Sequence, residues 1–491
     1  MQDKASQPAN SNAPAPASDL NRRDAVKLAG AGLAAAALGV TRFGQAPAIV
    51  HGATEQTKFA VIGIGGRGSY LLKHLNKVEN GKCVMICDLR DEALRKGLDT
   101  YKLNTPITSK DYREVLSNKD VDAVIVAVPL YKHFELTKAS LEAGKNTFCE
   151  KSLVFKPAEV PALRALVKQY PKQVLQVGLQ RRYSKFYQTA KAMVDQGILG
   201  DVTHIHAQWH RNPGWVMKPG GKENPLNWRL FKDYSGGLTA ELASHQIDVA
   251  DWMFGATPEF VIGVGGLDYH KDGRTVDDNI QLIYKYPNGR KLVYSSITTN
   301  SHCPYLNASR PEFAECIMGT KGTLDLTIGD GESTMPTAMW FHEPVHTEVA
   351  AVTPGGKAAP AAAGASYAIG GGQRGLPILM DKDKVKDGDG FFEKEMKFAK
   401  LWLLQKGVMT SDEDRNPVET ELESFLNDCR TGGHPKADLE IGLNDSIAVM
   451  LSNIAMEQER RVYFNEIDKL AAEGASPNPA PPVSTIAQKK A

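Results

Sequence analysis

One stretch constrains this chain more than any other: Lys58-Phe-Ala-Val-Ile-Gly-Ile-Gly-Gly-Arg-Gly-Ser-Tyr-Leu-Leu72. Phe59 to Ile62 form a continuous apolar run, the pattern of a strand buried on both faces. Gly63, Gly65 and Gly68 follow as G-x-G-x-x-G, with Gly66 and Arg67 inside the motif, and a helical pattern opens through Tyr70, Leu71, Leu72 and Leu75. Three glycines serve three needs: a tight turn, close approach of backbone to a pyrophosphate, and close packing of helix on strand. The helix N-terminus then offers unpaired N–H groups and a partial positive charge to phosphate. A second apolar strand, Cys83 to Ile86, runs on to Asp88. A carboxylate about twenty residues past the third glycine suits a ribose 2′-hydroxyl and repels a 2′-phosphate. The expected cofactor is NAD, with NADP kept open by Arg67 and Arg90.

Beyond Asp88 the pattern alternates as an α/β sheet requires. Helices are expected over Asp91–Leu103 and Asp111–Ser117, and a buried strand over Val121–Val128, stopped by Pro129. Lys132 and His133 open a helix running to Ala143, and Asn146–Cys149 is a short strand ending in Glu150-Lys151. A helix over Ala158–Gln169 and a strand over Val174–Gly178 complete the half. Ligands of open α/β sheets gather at the carboxyl ends of the strands. Gly65, Asp88, Pro129, Lys151 and Gln180 therefore fall on one edge, with His133 and Glu150 as further candidate cofactor contacts. A lysine at such a strand end can hydrogen-bond a reacting oxygen, or take its proton once desolvation lowers its pKa.

Past residue 180 the texture changes. After a helix over Ser184–Gln196, the strand Val202–His210 alternates Ile205, Ala207 and Trp209 with His204, His206, Gln208 and His210. The polar face reads as solvated or covered by a partner subunit, and no metal is expected. Ser235-Gly-Gly237 leads into a helix where Glu241, His245 and Asp248 share a face at i, i+4 and i+7. A carboxylate beside a histidine makes an acid/base unit. The remainder reads as sheet: Phe260–Gly265, Asn279–Tyr286, Lys291–Thr298, Phe313–Met318 and Thr323–Ile328, with hairpin turns at Pro287–Gly289 and Gly319–Gly322. Residues 353–376 are low-complexity and expected to be a flexible insertion. Helices over Glu419–Thr431 and Gly442–Glu459 close the fold, and the Pro/Ala-rich tail from Ser476 is expected to be disordered. The expected division is residues 1–50, a nucleotide domain over 57–180, a second domain over 181–470, and the tail.

The 491 residues exceed one core, and a net charge of +1 with 42% hydrophobic residues describes a soluble globular protein without a nucleic-acid footprint. The N-terminus stands apart. Residues 1–20 lack periodicity and read as disordered. Asn21-Arg22-Arg23-Asp24 precedes a short, weakly apolar run from Leu28 to Val40, too short to span a bilayer. It resembles a twin-arginine export signal, with Ala46-Pro47-Ala48 as a cleavage site and Ile49 near the mature start. The expectation is a bacterial protein exported by the twin-arginine machinery to the periplasm, without stable membrane insertion. Cys83 and Cys87 sit about 13 Å apart along one strand, beyond bridging range. The six cysteines lack C-x-x-C spacing and read as free thiols.

With Gly63-Ile-Gly-Gly-Arg-Gly68, Asp88, Glu150-Lys151 and Glu241-x-x-x-His245 in order, the chain resembles the Gfo/Idh/MocA oxidoreductases over about residues 57–345 and 390–465. The resemblance implies a Rossmann domain, then an α/β domain with a large, open, mostly antiparallel sheet used in homo-oligomerisation, and a sugar or polyol substrate. It also implies that Lys151, Glu241 and His245 surround the reacting carbon. Two residues depart from the family pattern: Ser152 replaces the proline of Glu-Lys-Pro, and Glu241 replaces an aspartate. A hydrolase branch of the same fold, the NAD-dependent glycosidases of the α-N-acetylgalactosaminidase type, implies an alternative in which C3 is oxidised transiently. An exported sugar-binding protein without catalysis is a third reading.

Overall fold

The computed structural model describes residues 56–101, 107–212, 214–301, 313–327, 337–342, 376–377, 388, 390–408 and 415–476. The expected export signal, the low-complexity insertion up to residue 375 and the tail from 477 lie outside the described residues.

The first half runs β1 (Thr57–Ile62), α1 (Gly66–Leu75), β2 (Gly81–Cys87), α2 (Asp91–Tyr101), β3 (Ile107–Ser109), α3 (Tyr112–Ser117), β4 (Ala123–Val126), α4 (His133–Glu142), β5 (Asn146–Cys149), α5 (Glu159–Gln169) and β6 (Leu175–Val177). Its six strands are parallel in the order β3-β2-β1-β4-β5-β6. That is the doubly wound dinucleotide-binding order, with its crevice where β1 and β4 diverge. Helices cover both faces, so β4 is buried along its whole length. Asp111 caps α3 by accepting from Arg113 N–H, which fixes where that helix starts. β3 was not foreseen, because three residues are too few to show a period.

The second half runs α6 (Lys185–Asp195), β7 (Val202–Trp209), a π-helical turn (Thr239–Ala243) continuing into α7 (Ser244–Phe254), β8 (Phe260–Gly266), β9 (Asn279–Lys285), β10 (Lys291–Ile297), β11 (Phe313–Gly319), β12 (Gly322–Thr327), β13 (Thr337–His342), β14 (Leu376–Pro377), α8 (Phe391–Gln405), α9 (Pro417–Thr431), α10 (Leu439–Glu457), β15 (Val462–Tyr463) and α11 (Ile467–Ala472). Nine strands form one sheet, β14-β13-β12-β11-β7-β10-β9-β8-β15. Every neighbouring pair is antiparallel except β7 with β10. One face is buried through Leu282, Tyr284, Leu292 and Tyr294, while Val264 on the other face is 70% exposed.

Two C-terminal helices do more than close the second domain. α9 inserts Val418, Leu422, Phe425 and Leu426 into the cluster built on Phe59, Val61 and Leu71 of the nucleotide half. Thr57 Oγ1 donates to Leu426 O at 2.9 Å, and His74 Nδ1 meets Glu419 Oε1 at 2.8 Å. The division expected at residue 180 therefore leaves out a helix of the first core. α10 is buried through most of its length, Asp445, Ser446, Ser452 and Asn453 included, as a helix between two layers must be. It passes so close to β6 that a Cβ on Gly442 would lie 2.4 Å from Val177 Cγ2.

Cys83, Cys87 and Cys149 are buried, Cys316 and Cys429 are half-buried, none of these five is in a disulfide, and Cys303 lies outside the described residues. On β7, His204 bonds the Thr203 hydroxyl, while the following His210 bonds that of Ser295. Among the described residues no group of three or more His, Cys, Asp or Glu is placed to hold a metal, and no helix is long and apolar enough to cross a membrane.

Candidate active site

The site is built up from the glycine loop. Gly63 has φ +93°, a left-handed conformation, and a Cβ there would meet Ala127 O at 2.5 Å. A Cβ on Gly68 would lie 1.8 Å from Gly63 O, so α1 can approach the loop only through glycine. Gly65 and Gly66 face open space instead, and Gly65 gives α1 no side-chain cap. The first N–H groups of α1 are thus left for an anion, and the residues present fit a pyrophosphate.

Asp88 is tied to this loop directly. Its Oδ2 accepts from Ile64 N–H at 2.8 Å, and its Oδ1 from Arg90 N–H at 2.9 Å and Arg90 Nε at 3.3 Å. The carboxylate thus braces the turn. Arg67 leans across the loop, donating to Glu150 Oε1 at 2.6 Å and Gln180 Oε1 at 2.8 Å. The Glu150 carboxylate has room because residue 178 is glycine: a Cβ there would lie 3.1 Å from it. Pro129 opens a 3-10 turn, Leu130–Lys132, at the end of β4.

His133 needs correction as a cofactor contact. It is buried, with Nδ1 bonded to Ser152 O at 2.7 Å and Nε2 to Val128 O at 2.9 Å. Two carbonyl acceptors require both nitrogens to donate, so the ring is an imidazolium. Burial opposes that charge, but Cys149 and the two carbonyls outweigh it and lift the pKa to about 9. His133 joins the end of β4 to the turn after Lys151, with neither nitrogen left for a ligand.

Lys151, Glu241 and His245 do converge, by a different arrangement from a shared helix face. Lys151 Nζ donates to the main-chain carbonyls of Ala240 at 2.7 Å and Glu241 at 2.9 Å. The π turn exposes those carbonyls, since its ladder is locally rearranged. Burial lowers the Lys151 pKa; Glu241, Glu150 and Asp445 oppose the shift. The Glu241 carboxylate turns to Arg229, whose Nε donates at 2.7 Å. Burial disfavours its charge, but Arg229 and Lys151 prevail and hold the pKa below the usual range. His245 sets its ring beside Trp209 at a tilt of 34°, with centroids 5.9 Å apart. Burial, then Lys151, Arg181 and Arg67, push its pKa well down, so it stands as neutral imidazole. Asp248, the third residue of the expected face, pairs with Arg182 Nε at 2.8 Å.

Several site residues were not anticipated. Arg181 forms a buried ion pair with Glu315, which also accepts from Tyr187 OH at 2.8 Å. Glu421 of α9 is fully buried beside Arg67 and Glu150, and burial followed by Glu150 raises its pKa far enough to keep it neutral. These partners lie far apart in sequence and on no common period. Only the excess of arginine near the Gln180 turn hinted at them.

The arrangement joins an open phosphate-binding helix end, a lysine of lowered basicity and a neutral histidine. The chain matches a profile described as an oxidoreductase family with an NAD-binding Rossmann fold over residues 57–179, and the GFO/IDH/MocA C-terminal domain over 187–325. An inositol 2-dehydrogenase/D-chiro-inositol 3-dehydrogenase of Lactiplantibacillus plantarum is 31% identical over 198 residues, 40% of this chain and 52% of that protein. A 2,7-anhydro-N-acetylneuraminate hydratase of Escherichia coli is 25% identical over 273 residues, 55% of this chain and 67% of that protein. The chain thus spans about half the length of the inositol dehydrogenase it matches. The crystal structure of scyllo-inositol dehydrogenase from Lactobacillus casei, with NAD(H) and scyllo-inositol bound, shares the fold at TM-score 0.58 and 18% identity, over 84% of this chain and 100% of that one. The two profile matches follow one another and together take in more than half of the 491 residues: the chain belongs to the GFO/IDH/MocA family of oxidoreductases.

Proposed function

We propose that this protein is an NAD(H)-dependent oxidoreductase acting on a CH–OH carbon of a neutral sugar or polyol. The observation that carries the reading is the placement of Lys151 Nζ on the Glu241 carbonyl, beside neutral His245, at the carboxyl edge of the nucleotide sheet. The cofactor, when bound, supplies or accepts the hydride. The protein's own groups handle the proton and the orientation. Two N–H groups of Lys151 are engaged by carbonyls, leaving the third position of the amine for the substrate oxygen, where it holds or takes the hydroxyl proton. Neutral His245 can accept or donate at a neighbouring hydroxyl, and Glu241 is held ionised as an acceptor for another. Arg67, Arg181, Arg182 and Arg229 each already pair with a carboxylate, which favours an uncharged substrate. The test is to identify by mass any nucleotide that co-purifies and to screen inositols, aldoses and aryl glycosides for turnover. A protein that binds no nicotinamide nucleotide and turns over none of them would refute the proposal.

A second reading is redox-neutral. One relative is named a hydratase, and hydration involves no net oxidation. The corresponding scheme here, with a glycoside as substrate, is transient oxidation, loss of the neighbouring proton with elimination of the aglycone, addition of water across the resulting double bond, and return of the hydride. Product analysis separates the two readings: a keto-sugar with NADH in one, a free sugar with unchanged NAD in the other.

We infer export from Arg22-Arg23 and the short apolar run behind them. A twin-arginine route carries folded proteins, so the enzyme leaves the cell with its nucleotide already bound. Periplasmic accumulation that is lost when both arginines become lysine tests this, and cytoplasmic retention of the parent would refute it. We assign the open sheet face, with Ile262, Val264 and Ile283 exposed, to contact with a second copy of the chain. Light scattering reads the mass directly.

A further inference from the structure

Helix α10 carries one buried carboxylate that the scheme above leaves unused. The Oδ2 of Asp445 accepts from the Ser244 hydroxyl at 2.9 Å, and Ser244 immediately precedes His245. The next residue on α10, Ser446, accepts at Oγ from Leu153 N–H at 2.9 Å and Val154 N–H at 3.3 Å, and donates to Gly442 O at 2.7 Å. Those two N–H groups belong to the turn that follows Lys151 and Ser152. One turn of a rigid, buried helix thus grips the segment bearing Lys151 with one side chain and the segment bearing His245 with the next. The charged and titratable groups facing Asp445 are Lys151 from the turn after β5, Asp248 and Asp251 from α7, and Tyr284 from β9. Burial first, and Asp248 second, push the Asp445 carboxyl up, while Lys151 draws it down. In return, ionised Asp445 favours the protonated lysine.

We propose that Asp445 is a positioning residue of the active site, orienting Ser244 and so His245 through its hydrogen bond and acting on the Lys151 amine through its charge. Only the catalytic role given to Lys151 rests on the oxidoreductase reading; the grip of α10 on both segments does not.

The test replaces Asp445 by asparagine, which keeps an acceptor for Ser244 and removes the charge. In polyol oxidation the rate rises with pH as the amine loses its proton. Asp445→Asn removes a charge that favours the ammonium form, so this limb moves to lower pH by about one unit, with the KM for the nucleotide unchanged. Ser244→Ala strips a donor from the carboxylate, leaves it less ionised, and moves the limb the same way by less. A substrate-independent arm labels lysines by reductive ¹³C-methylation and follows the Lys151 signal, assigned by its loss in Lys151→Arg. That signal should titrate at lower pH in both variants. Should no polyol be turned over, the oxidoreductase reading fails and the amine titration still decides this proposal. Should Asp445→Asn not fold, Ser244→Ala carries the test. Amine titrations in the variants that coincide with the parent's would overturn it.

Discussion

Lys151 reaches Glu241 through the main chain: its Nζ donates to the Glu241 carbonyl at 2.9 Å, while the Glu241 carboxylate faces Arg229 at 2.7 Å. The lysine is thereby oriented by groups whose basicity does not change with pH, and the Glu241 carboxylate influences it only across space. Removing either member of the proposed acid/base pair, Lys151→Ala or His245→Ala, should lower kcat by about 10²-fold or more. Nucleotide binding, followed by fluorescence quenching, should survive both. Near-parent turnover in both variants would show that the proton goes elsewhere.

Asp88 has two duties that one substitution should reveal together. Asp88→Ala removes the acceptor of Ile64 N–H, so NAD binding should weaken by about tenfold, the scale of one lost hydrogen bond to a charged group. It also removes the repulsion of a 2′-phosphate and frees Arg90, so the ratio of NAD to NADP affinity should fall. Calorimetry with both nucleotides measures each effect. An unmodified protein that prefers NADP would contradict the assignment.

The glycine loop admits a sharper test. Gly68→Ala places a methyl 1.8 Å from Gly63 O, a separation that no rotamer relieves. Nucleotide binding should be abolished. Gly65→Ala, whose Cβ position is open, should reduce affinity only by crowding the phosphate.

His133 should mark the pH dependence of stability. Its folded pKa of about 9 lies above the ordinary 6.5, so its contribution is present in full below about pH 6.5 and is lost as pH rises through 9. The shift corresponds to on the order of 3 kcal/mol. The gap in melting temperature between parent and His133→Phe should therefore be widest near pH 6 and close by about pH 10. A gap that does not change with pH would mean that the ring is neutral in the folded protein.

The nucleotide half was legible because its signals are local. Phe59–Ile62, the three glycines and the turn at Pro129 each declare themselves within a few residues, and Asn146–Cys149 needed no adjustment. The face drawn through Glu241, His245 and Asp248 was only half right. Helical spacing placed them together, but nothing in the spacing marks a π turn, and each carboxylate turned to an arginine outside its own helix. Arg181 and Glu315 are 134 residues apart, and such pairings are settled by tertiary packing alone. His133 was misassigned because a helix-start histidine facing a ligand and one clamping two carbonyls look alike in sequence.

The apolar face of α9 beneath β1 has a consequence for the order of events as the chain is made. Thr57 and Leu426 are 369 residues apart, so the core supporting the glycine loop closes only after almost every other element has been synthesised. Contacts of such separation form late, because the closure entropy of the intervening chain must be met first. A nucleotide half newly emerged from the ribosome therefore lacks the α9 side chains that complete the cluster around Phe59 and Leu71. Capture of the dinucleotide is then a report that α9 has docked beneath β1.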